Sequence, residues 1–156
     1  MSQIFFSKGI LSQWFPALFE VDGITYNCAE QYMMAMKAKL FGDTEIQEQI
    51  MSTSDPRHQK ALGRQIKGFN PDVWNKVAKE IVFIGNLAKF STPRLKNTLI
   101  STGDSELIEC NPNDKIWAIG LDIENPDRFD KAKWQGTNWL GETLMRVREE
   151  LKNLPE

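Results

Sequence analysis

The stretch from Trp134 to Arg148 reads WQGTNWLGETLMRVR, and it decides the fold of the last part of the chain. Apolar residues recur at helical spacing within it and beyond it. These residues are Leu140, Leu144, Val147, Leu151 and Leu154. The spacing predicts an amphipathic last helix that packs one face against a core.

The approach to this helix contains glycine, asparagine and tryptophan residues. Gly136 permits a tight turn, and Asn138 is at a typical N-cap position. Backbone N–H groups at a helix start also bind phosphates, carboxylates and sugar oxygens. Two interpretations therefore stay open: an ordinary helix start, or one edge of a ligand site that contains Trp134, Gly136 and Asn138.

The composition indicates one domain. A chain of 156 residues with 41% hydrophobic residues can form a single core. The net charge of −2 gives no general basic field for nucleic acids. Cys28 and Cys110 lack metal-ligand spacing, which is typical of reduced thiols in the cytoplasm, and no signal peptide or membrane-spanning run is visible. We expect one soluble, cytoplasmic domain over residues 1–156, without contact with a membrane.

Short strands and well-delimited helices alternate along the chain. The predicted strands are residues 3–6, 18–21, 24–26, 107–110 and 116–121. Predicted helices follow the capping residues Asn27, Thr44, Asp55 and Asn70, and a further short helix ends at Ile100. This order predicts the α+β class: a single compact domain in which several helices pack on a small β-sheet.

Several classes of enzyme lack their sequence signatures here. The one histidine, His58, cannot form a multi-histidine metal site, and neither a P-loop nor a GxGxxG motif is present. We therefore expect no metal and no cofactor. Acid–base chemistry must then come from carboxylates or lysine.

Glu30 is the first candidate carboxylate. It comes three residues after Asn27, where it fits the return arm of a capping box. Lys37 lies two helical turns further along the same face. Burial beside Met33 and Met34 would raise the pKa of the carboxyl group and lower that of the amine, which favours proton transfer. The methionines themselves are expected to pack in the core.

Asp114 is the second candidate, in the segment ECNPNDKIWAIG. Loops on a rigid scaffold often contain catalytic groups, although a turn aspartate usually accepts hydrogen bonds from its own backbone. Trp74 and Trp117 are similarly open to two interpretations. Each is either a core residue or a ring that stacks on a heterocyclic base.

The ordered segments of the chain resemble the NADAR family. They are LSQWFP, DGITYNCAEQYMMAMKA, ALGRQIKGFNPDVW, Lys89-Phe90, TGDSELIECNPNDKIWAIG and WQGTNWLGETLMRVR. The resemblance implies an N-glycosidase that hydrolyses the C–N bond between ribose and a base-like group. It also implies that Glu30, Trp74 and Asp114 are at functional positions.

Two substrate classes follow from the resemblance. One is the ribosylaminopyrimidine phosphates of riboflavin biosynthesis, and the other is ADP-ribosylated guanine. The partner is thus a small ribosyl or ADP-ribosyl molecule, with local contact to ADP-ribosylated nucleic acid in the second case. The alternative is a sensor domain that binds ADP-ribose or a nucleotide without catalysis.

The predicted catalytic residues are Glu30, Asp114 and Lys37. Asp114 would orient or deprotonate water, and Glu30 would exchange protons with the sugar or the leaving group. Lys37 offers a second route, in which it captures the ring-opened ribose as a Schiff base. The predicted substrate-binding residues are Ser12, Trp74, Arg64, Trp117, Trp134, Gly136 and Asn138.

Two of the substrate-binding residues have a specific predicted contact. Trp74 would stack on the base, and Arg64 is either a phosphate clamp or a solvated helix end. Glu30, Lys37, Trp74, Asp114 and the approach to Asn138 are predicted to converge on one cleft.

Two residues depart from the usual pattern of the family. Gln13 follows Ser12 where the family commonly has asparagine, and Ala118 follows Trp117 where it often has glycine. We expect both departures to alter the pocket.

Overall fold

The computed structural model of the chain describes residues 2–154, which contain six α-helices, two short 3-10 helices and four short strands. The predicted α+β class is therefore confirmed. The chain divides into two compact units. One is the Gln13–Lys89 unit, and the other, here called the terminal unit, extends up to Ser12 and resumes at Phe90. Across residues 2–154, no helix has the length and apolar character needed to cross a bilayer.

The strands are β1 (Gln3–Phe6), β2 (Phe19–Val21), β3 (Ile24–Tyr26) and β4 (Glu106–Glu109). The helices are α1 (Ala29–Leu40), α2 (Thr44–Met51), α3 (Pro56–Gly63), α4 (Pro71–Lys89), α5 (Pro93–Ile100) and α6 (Trp139–Asn153). The 3-10 helices are Pro126–Phe129 and Lys131–Lys133.

Helix α1 is the central helix of the Gln13–Lys89 unit and contacts α2, α3 and α4. Met33 and Met34 are buried, so the methionine run packs in the core as expected. Tyr32 lies against Gly85 of α4, where an added Cβ would be 2.6 Å from the tyrosine ring. The missing side chain at Gly85 thus allows α4 to pack closely on α1.

Strands β2 and β3 form an antiparallel hairpin in which Phe19 is opposite Tyr26. Asp22 and Gly23 both have positive φ, 52° and 81°, which is the geometry of the hairpin turn predicted from the Asp-Gly pair. The ring of Tyr26 also meets Tyr32 edge-on, at a centroid distance of 4.9 Å. This aromatic contact fixes the hairpin to α1.

Helix starts in this unit follow local capping chemistry. Asp55 and Asn70 each accept a backbone N–H bond of 2.9 Å from the residue two positions on, as predicted. The prediction of Thr44 as a cap is wrong, because the preceding Asp43 accepts the bond from the amide at position 46. Aspartate and threonine are both good caps, and the carboxylate one residue earlier takes the role.

The terminal unit contains a parallel pair of strands. β1 pairs with β4, from Gln3 opposite Glu106 to Phe6 opposite Glu109. Helix α6 packs on β4, and α5 packs on α6. Within residues 2–154, the strands thus form two separate two-stranded sheets, whereas the sequence predicted one small sheet.

The predicted strand at residues 116–121 is wrong. The carbonyl groups of residues 116–118 accept hydrogen bonds of 3.0–3.2 Å from the amides of residues 138–140. These amides form the start of α6 and have no intrahelical partner. The segment therefore satisfies the helix start and does not extend a sheet.

Candidate active site

Glu30 lies in the first turn of α1 and is 6% exposed. The helix is capped by Cys28 and not by Asn27, because the Cys28 thiol accepts the Gln31 amide at 3.4 Å. The Gln31 side chain in turn accepts the Asn27 amide at 2.8 Å. The predicted capping box is therefore wrong in its residues, and Glu30 is not its return arm.

Lys37 is half-buried two turns further along α1. Its Nζ donates to the Gly63 carbonyl at 3.2 Å and lies 4.6 Å from the centroid of the Phe69 ring. Burial lowers the pKa of this amine below the usual lysine value, and the nearby Arg64 lowers it further, while the Glu30 carboxylate partly offsets both effects. The lowered pKa of Lys37 agrees with the sequence expectation for a lysine buried on this face of α1.

Trp74 and Phe69 are the two aromatic residues around Lys37. Trp74, in the first turns of α4, is 7% exposed, and its ring centroid is 5.8 Å from the Lys37 Nζ. Phe69 was not predicted and is 42% exposed. Both rings lie within the range of a cation–π interaction with the amine. An exposed phenylalanine in the loop before α4 carries no sequence signal that distinguishes it from other surface residues.

Arg64 is the residue after α3 and is exposed. Its backbone follows Gly63, whose carbonyl binds Lys37. The Lys37 amine thus bonds to the residue directly before the cationic Arg64, whose charge lowers the pKa of Lys37. This arrangement suits an anionic ligand group.

Lys89 is a second unusual lysine, which the sequence did not single out as a site residue. It ends α4, its side chain is fully buried, and its Nζ is 5.8 Å from the Phe15 ring centroid. Burial lowers the pKa of Lys89 to about 7, while Cys28 raises it slightly. A lysine at the end of an amphipathic helix normally extends into water, so the sequence pattern alone does not reveal its burial.

Gln13 belongs to a buried polar contact. Its carboxamide oxygen accepts from Asn86 Nδ2 at 2.8 Å, and its backbone carbonyl accepts from the Glu30 amide at 3.0 Å. The side chain by which Gln13 departs from the family pattern therefore bonds to Asn86, whereas the bond to Glu30 comes from the backbone and does not depend on that side chain.

Asp114 is in the terminal unit and is half-buried. Its Oδ1 accepts the amides of Ile116 and Trp117 at 2.9 and 2.8 Å. This is the turn-forming role that the sequence left open beside catalysis. The two bonds fix the carboxylate in one orientation.

Asn138 joins α6 to β4. The residue is 3% exposed, and its side chain accepts from the Glu109 amide at 3.0 Å and donates to the Leu107 carbonyl at 2.9 Å. It caps α6 by position but makes no side-chain capping bond. Its φ of 53° is in the left-handed region, which asparagine tolerates better than most residues.

The approach to α6 is tightly packed. A Cβ at Gly136 would lie 2.3 Å from the Ala118 carbonyl oxygen, so this position requires glycine. Trp134 donates its indole N–H to the Arg128 carbonyl at 2.7 Å and packs against the core cluster to which Ile108 and Ile119 belong. These contacts give Gly136 and Trp134 clear structural roles.

Trp117 and Ser12 complete the predicted set in the terminal unit. Trp117 is half-buried and meets Trp139 edge-on, with ring centroids 5.5 Å apart. Ser12 is buried, and its amide donates to the Gly9 carbonyl at 2.9 Å. Ala118, the residue after Trp117, is fully buried.

The Gln13–Lys89 unit brings together four of the predicted residues: Glu30, Lys37, Arg64 and Trp74. Ser12, Asp114, Trp117, Trp134, Gly136 and Asn138 belong to the terminal unit. A single cleft that contains members of both sets stays a prediction.

Known proteins are similar to this chain in both sequence and fold. A family model described as the NADAR domain matches residues 4–152. A protein of Acanthamoeba polyphaga mimivirus named as an N-glycosidase is 45% identical over 147 residues, which cover 90% of this chain and 86% of the relative. A riboflavin biosynthesis protein of Vibrio vulnificus is 31% identical over 148 residues, 94% of this chain but 36% of that protein.

The fold agrees with the sequence match. The NMR structure of the Escherichia coli protein YbiA superimposes with a TM-score of 0.79 at 27% identity, covering 97% of this chain and 85% of that chain. The family model spans both compact units of the structure. This chain therefore belongs to the NADAR family.

Proposed function

We propose that this chain is an N-glycosidase that hydrolyses the C–N bond between ribose and a base-like group. The observation that carries the proposal is the position of the Lys37 amine on α1. It lies 4.6 and 5.8 Å from the Phe69 and Trp74 ring centroids and bonds to Gly63 next to the cationic Arg64, two helical turns from the buried Glu30. A carboxylate, an amine of lowered pKa and a cation supply proton transfer and anion binding in one place. The relative named as an N-glycosidase supports the same reaction.

The reaction requires groups for two developing charges. Cleavage places positive charge on the anomeric carbon and negative charge on the departing nitrogen. Glu30 exchanges a proton with the sugar or the leaving group, and Asp114 orients or deprotonates the attacking water. The hydrogen bonds to Asp114 Oδ1 hold that carboxylate in a fixed position, which suits the orientation of a water molecule.

Lys37 offers a second chemical route. A ribosylamine opens to an imine, and the neutral amine of Lys37 adds to the anomeric carbon and expels the base as its free amine. Water then hydrolyses the resulting Schiff base and releases ribose and the lysine. The lowered pKa of Lys37 raises the fraction of neutral amine near pH 7, which this route requires.

Two substrate classes fit this chemistry. We propose a ribosylaminopyrimidine phosphate as the first substrate to test, because the relative from Vibrio vulnificus is named as a riboflavin biosynthesis protein and the net charge of −2 suits a small ligand. ADP-ribosylated guanine is the second, with a local nucleic-acid contact. Arg64 would bind a phosphate group in either case. A cytoplasmic location fits both substrates.

Release of the base tests the reaction directly. Incubation of the wild type with each substrate should release the free base, and Glu30→Gln should lower kcat by about 100- to 10,000-fold. Glu142→Gln, at an exposed position of α6, is the matched control and should keep the wild-type rate. Tight binding of ADP-ribose without release of any base would instead establish the sensor function.

Borohydride trapping tests the lysine route. Under turnover, the lysine route predicts a reduced ribosyl adduct on the wild type and none on Lys37→Met. Lys39→Met, at an exposed position two residues on, should still form the adduct. No adduct on the active wild type would eliminate the Schiff base and leave attack by water.

A further inference from the structure

The two aromatic rings beside Lys37 differ in their access to solvent. Phe69 is 42% exposed, whereas Trp74 is 7% exposed. A ring can stack on a ligand only if one of its faces is accessible. The nearly buried Trp74 therefore offers little surface to a ligand, and Phe69 offers much more.

Phe69 is also held in place, although it is exposed. Its ring meets Phe41 edge-on with centroids 5.3 Å apart, and the Lys37 Nζ lies 4.6 Å from its centroid. Gly68, with a φ of 77°, makes the turn before it, and Asn70 caps α4 directly after it. Because these contacts already hold the Phe69 ring and its backbone, the ring loses little conformational entropy when a ligand stacks on it.

Trp74 has a different relation to the amine. Its ring centroid is 5.8 Å from the Lys37 Nζ, while the Gly63 carbonyl accepts from that amine at 3.2 Å. Together these groups hold the Lys37 amine in one place, two helical turns along α1 from the buried Glu30. Trp74 thus has the features of a positioning residue for Lys37.

We propose that Phe69 is the platform that stacks on the heteroaromatic base of the substrate, and that Trp74 positions Lys37. The proposal rests on the proposed function and deepens it, since it names a residue that selects planar pyrimidine or purine rings. It replaces Trp74 as the stacking residue expected from the sequence. The centroid of the Phe69 ring lies 4.6 Å from the Lys37 Nζ, the amine proposed to react at the anomeric carbon.

Binding of three ligands separates the role of the base from that of the sugar phosphate. Guanosine monophosphate and cytidine monophosphate contain an aromatic base, whereas ribose 5-phosphate contains the sugar phosphate alone. Phe69→Leu should weaken binding of both nucleotides by about tenfold or more, as expected for loss of one stacked ring. It should leave the Kd of ribose 5-phosphate unchanged. Titration calorimetry measures all three ligands.

Matched variants distinguish stacking from damage to the fold. Phe69→Tyr keeps the ring and should restore nucleotide binding, and Phe129→Leu, at an exposed phenylalanine 60% accessible in the terminal unit, should have no effect. Trp74→Phe should change the pH profile of kcat and leave the Kd of the nucleotides within about twofold. Equal binding of nucleotides by the wild type and Phe69→Leu would overturn the proposal.

These titrations, together with the base-release assay, separate this proposal from the proposed reaction. If the wild type and Phe69→Leu release base with the same KM, the proposed reaction is supported and the stacking role of Phe69 is refuted. If nucleotide binding depends on Phe69 but no base is released, the stacking role of Phe69 is supported and the proposed reaction is refuted.

Discussion

Lys89 is the residue whose burial has the clearest energetic consequence. Its pKa of about 7 in the folded protein is far below the value of about 10.4 in an unfolded chain. Between these two values the unfolded state binds a proton that the folded state does not bind, so the free energy of unfolding rises with pH. Below about pH 7 this contribution is constant, because both states are protonated.

The Lys89→Met variant lacks this titration. Relative to Lys89→Met, the wild type should gain about 2 kcal/mol in the free energy of unfolding from about pH 7.5 to about pH 9.5. Urea unfolding at a series of pH values measures the difference. Lys39→Met, at an exposed lysine, should run parallel to the wild type. Parallel curves for Lys89→Met would show that the lysine keeps an ordinary pKa.

The sequence anticipated some of these residues because their roles depend on near neighbours. Glu30 and Lys37 share a helix face whatever packs around it, so their coupling follows from a spacing of seven residues. Phe69 and Lys89 could not be selected in this way. Their exposure and burial depend on contacts with residues far away along the chain, such as Phe41 and Phe15.

At the scale of elements, the contact between α6 and β4 depends on a position at which no side chain larger than glycine fits. A Cβ at Gly141 would lie 2.0 Å from the Leu107 carbonyl oxygen. Alanine normally stabilises a helix by about 1 kcal/mol relative to glycine. Here the clash with a backbone atom reverses the sign, and Gly141→Ala should lower the free energy of unfolding by about 1–3 kcal/mol.

Gly63→Ala in α3 is the matched comparison for this prediction. An added Cβ there would meet the end of the Met34 side chain, which is flexible and can move away. Thermal or urea unfolding should therefore show a smaller loss for Gly63→Ala than for Gly141→Ala. A more stable Gly141→Ala protein would contradict the close approach of α6 to β4.

The elements also show which kinds of structure a sequence reveals. The helix starts at Asp55 and Asn70 could be predicted because a cap bonds to amides two or three residues away. The structure of residues 116–121 could not be predicted from near neighbours in the same way. Its apolar pattern resembles a strand, but its carbonyl groups bond to the amides of residues 138–140, about twenty residues later.

At the scale of the whole molecule, the proposed catalytic groups come from both compact units. Glu30 and Lys37 belong to the Gln13–Lys89 unit, and Asp114 belongs to the terminal unit. The proposed reaction needs Glu30 and Asp114 to act on the same bond. Groups that act as one catalytic unit show strongly non-additive effects when both are removed.

A double-mutant cycle on kcat/KM with Glu30→Gln and Asp114→Asn tests this central claim most directly. Asparagine at position 114 keeps the oxygen that accepts the Ile116 and Trp117 amides, so the turn is preserved. We predict that the wild type releases the base from its ribosyl substrate and that the double variant is within about threefold of the slower single variant. Effects of the two substitutions that simply multiply, or a wild type that releases no base, would contradict the account.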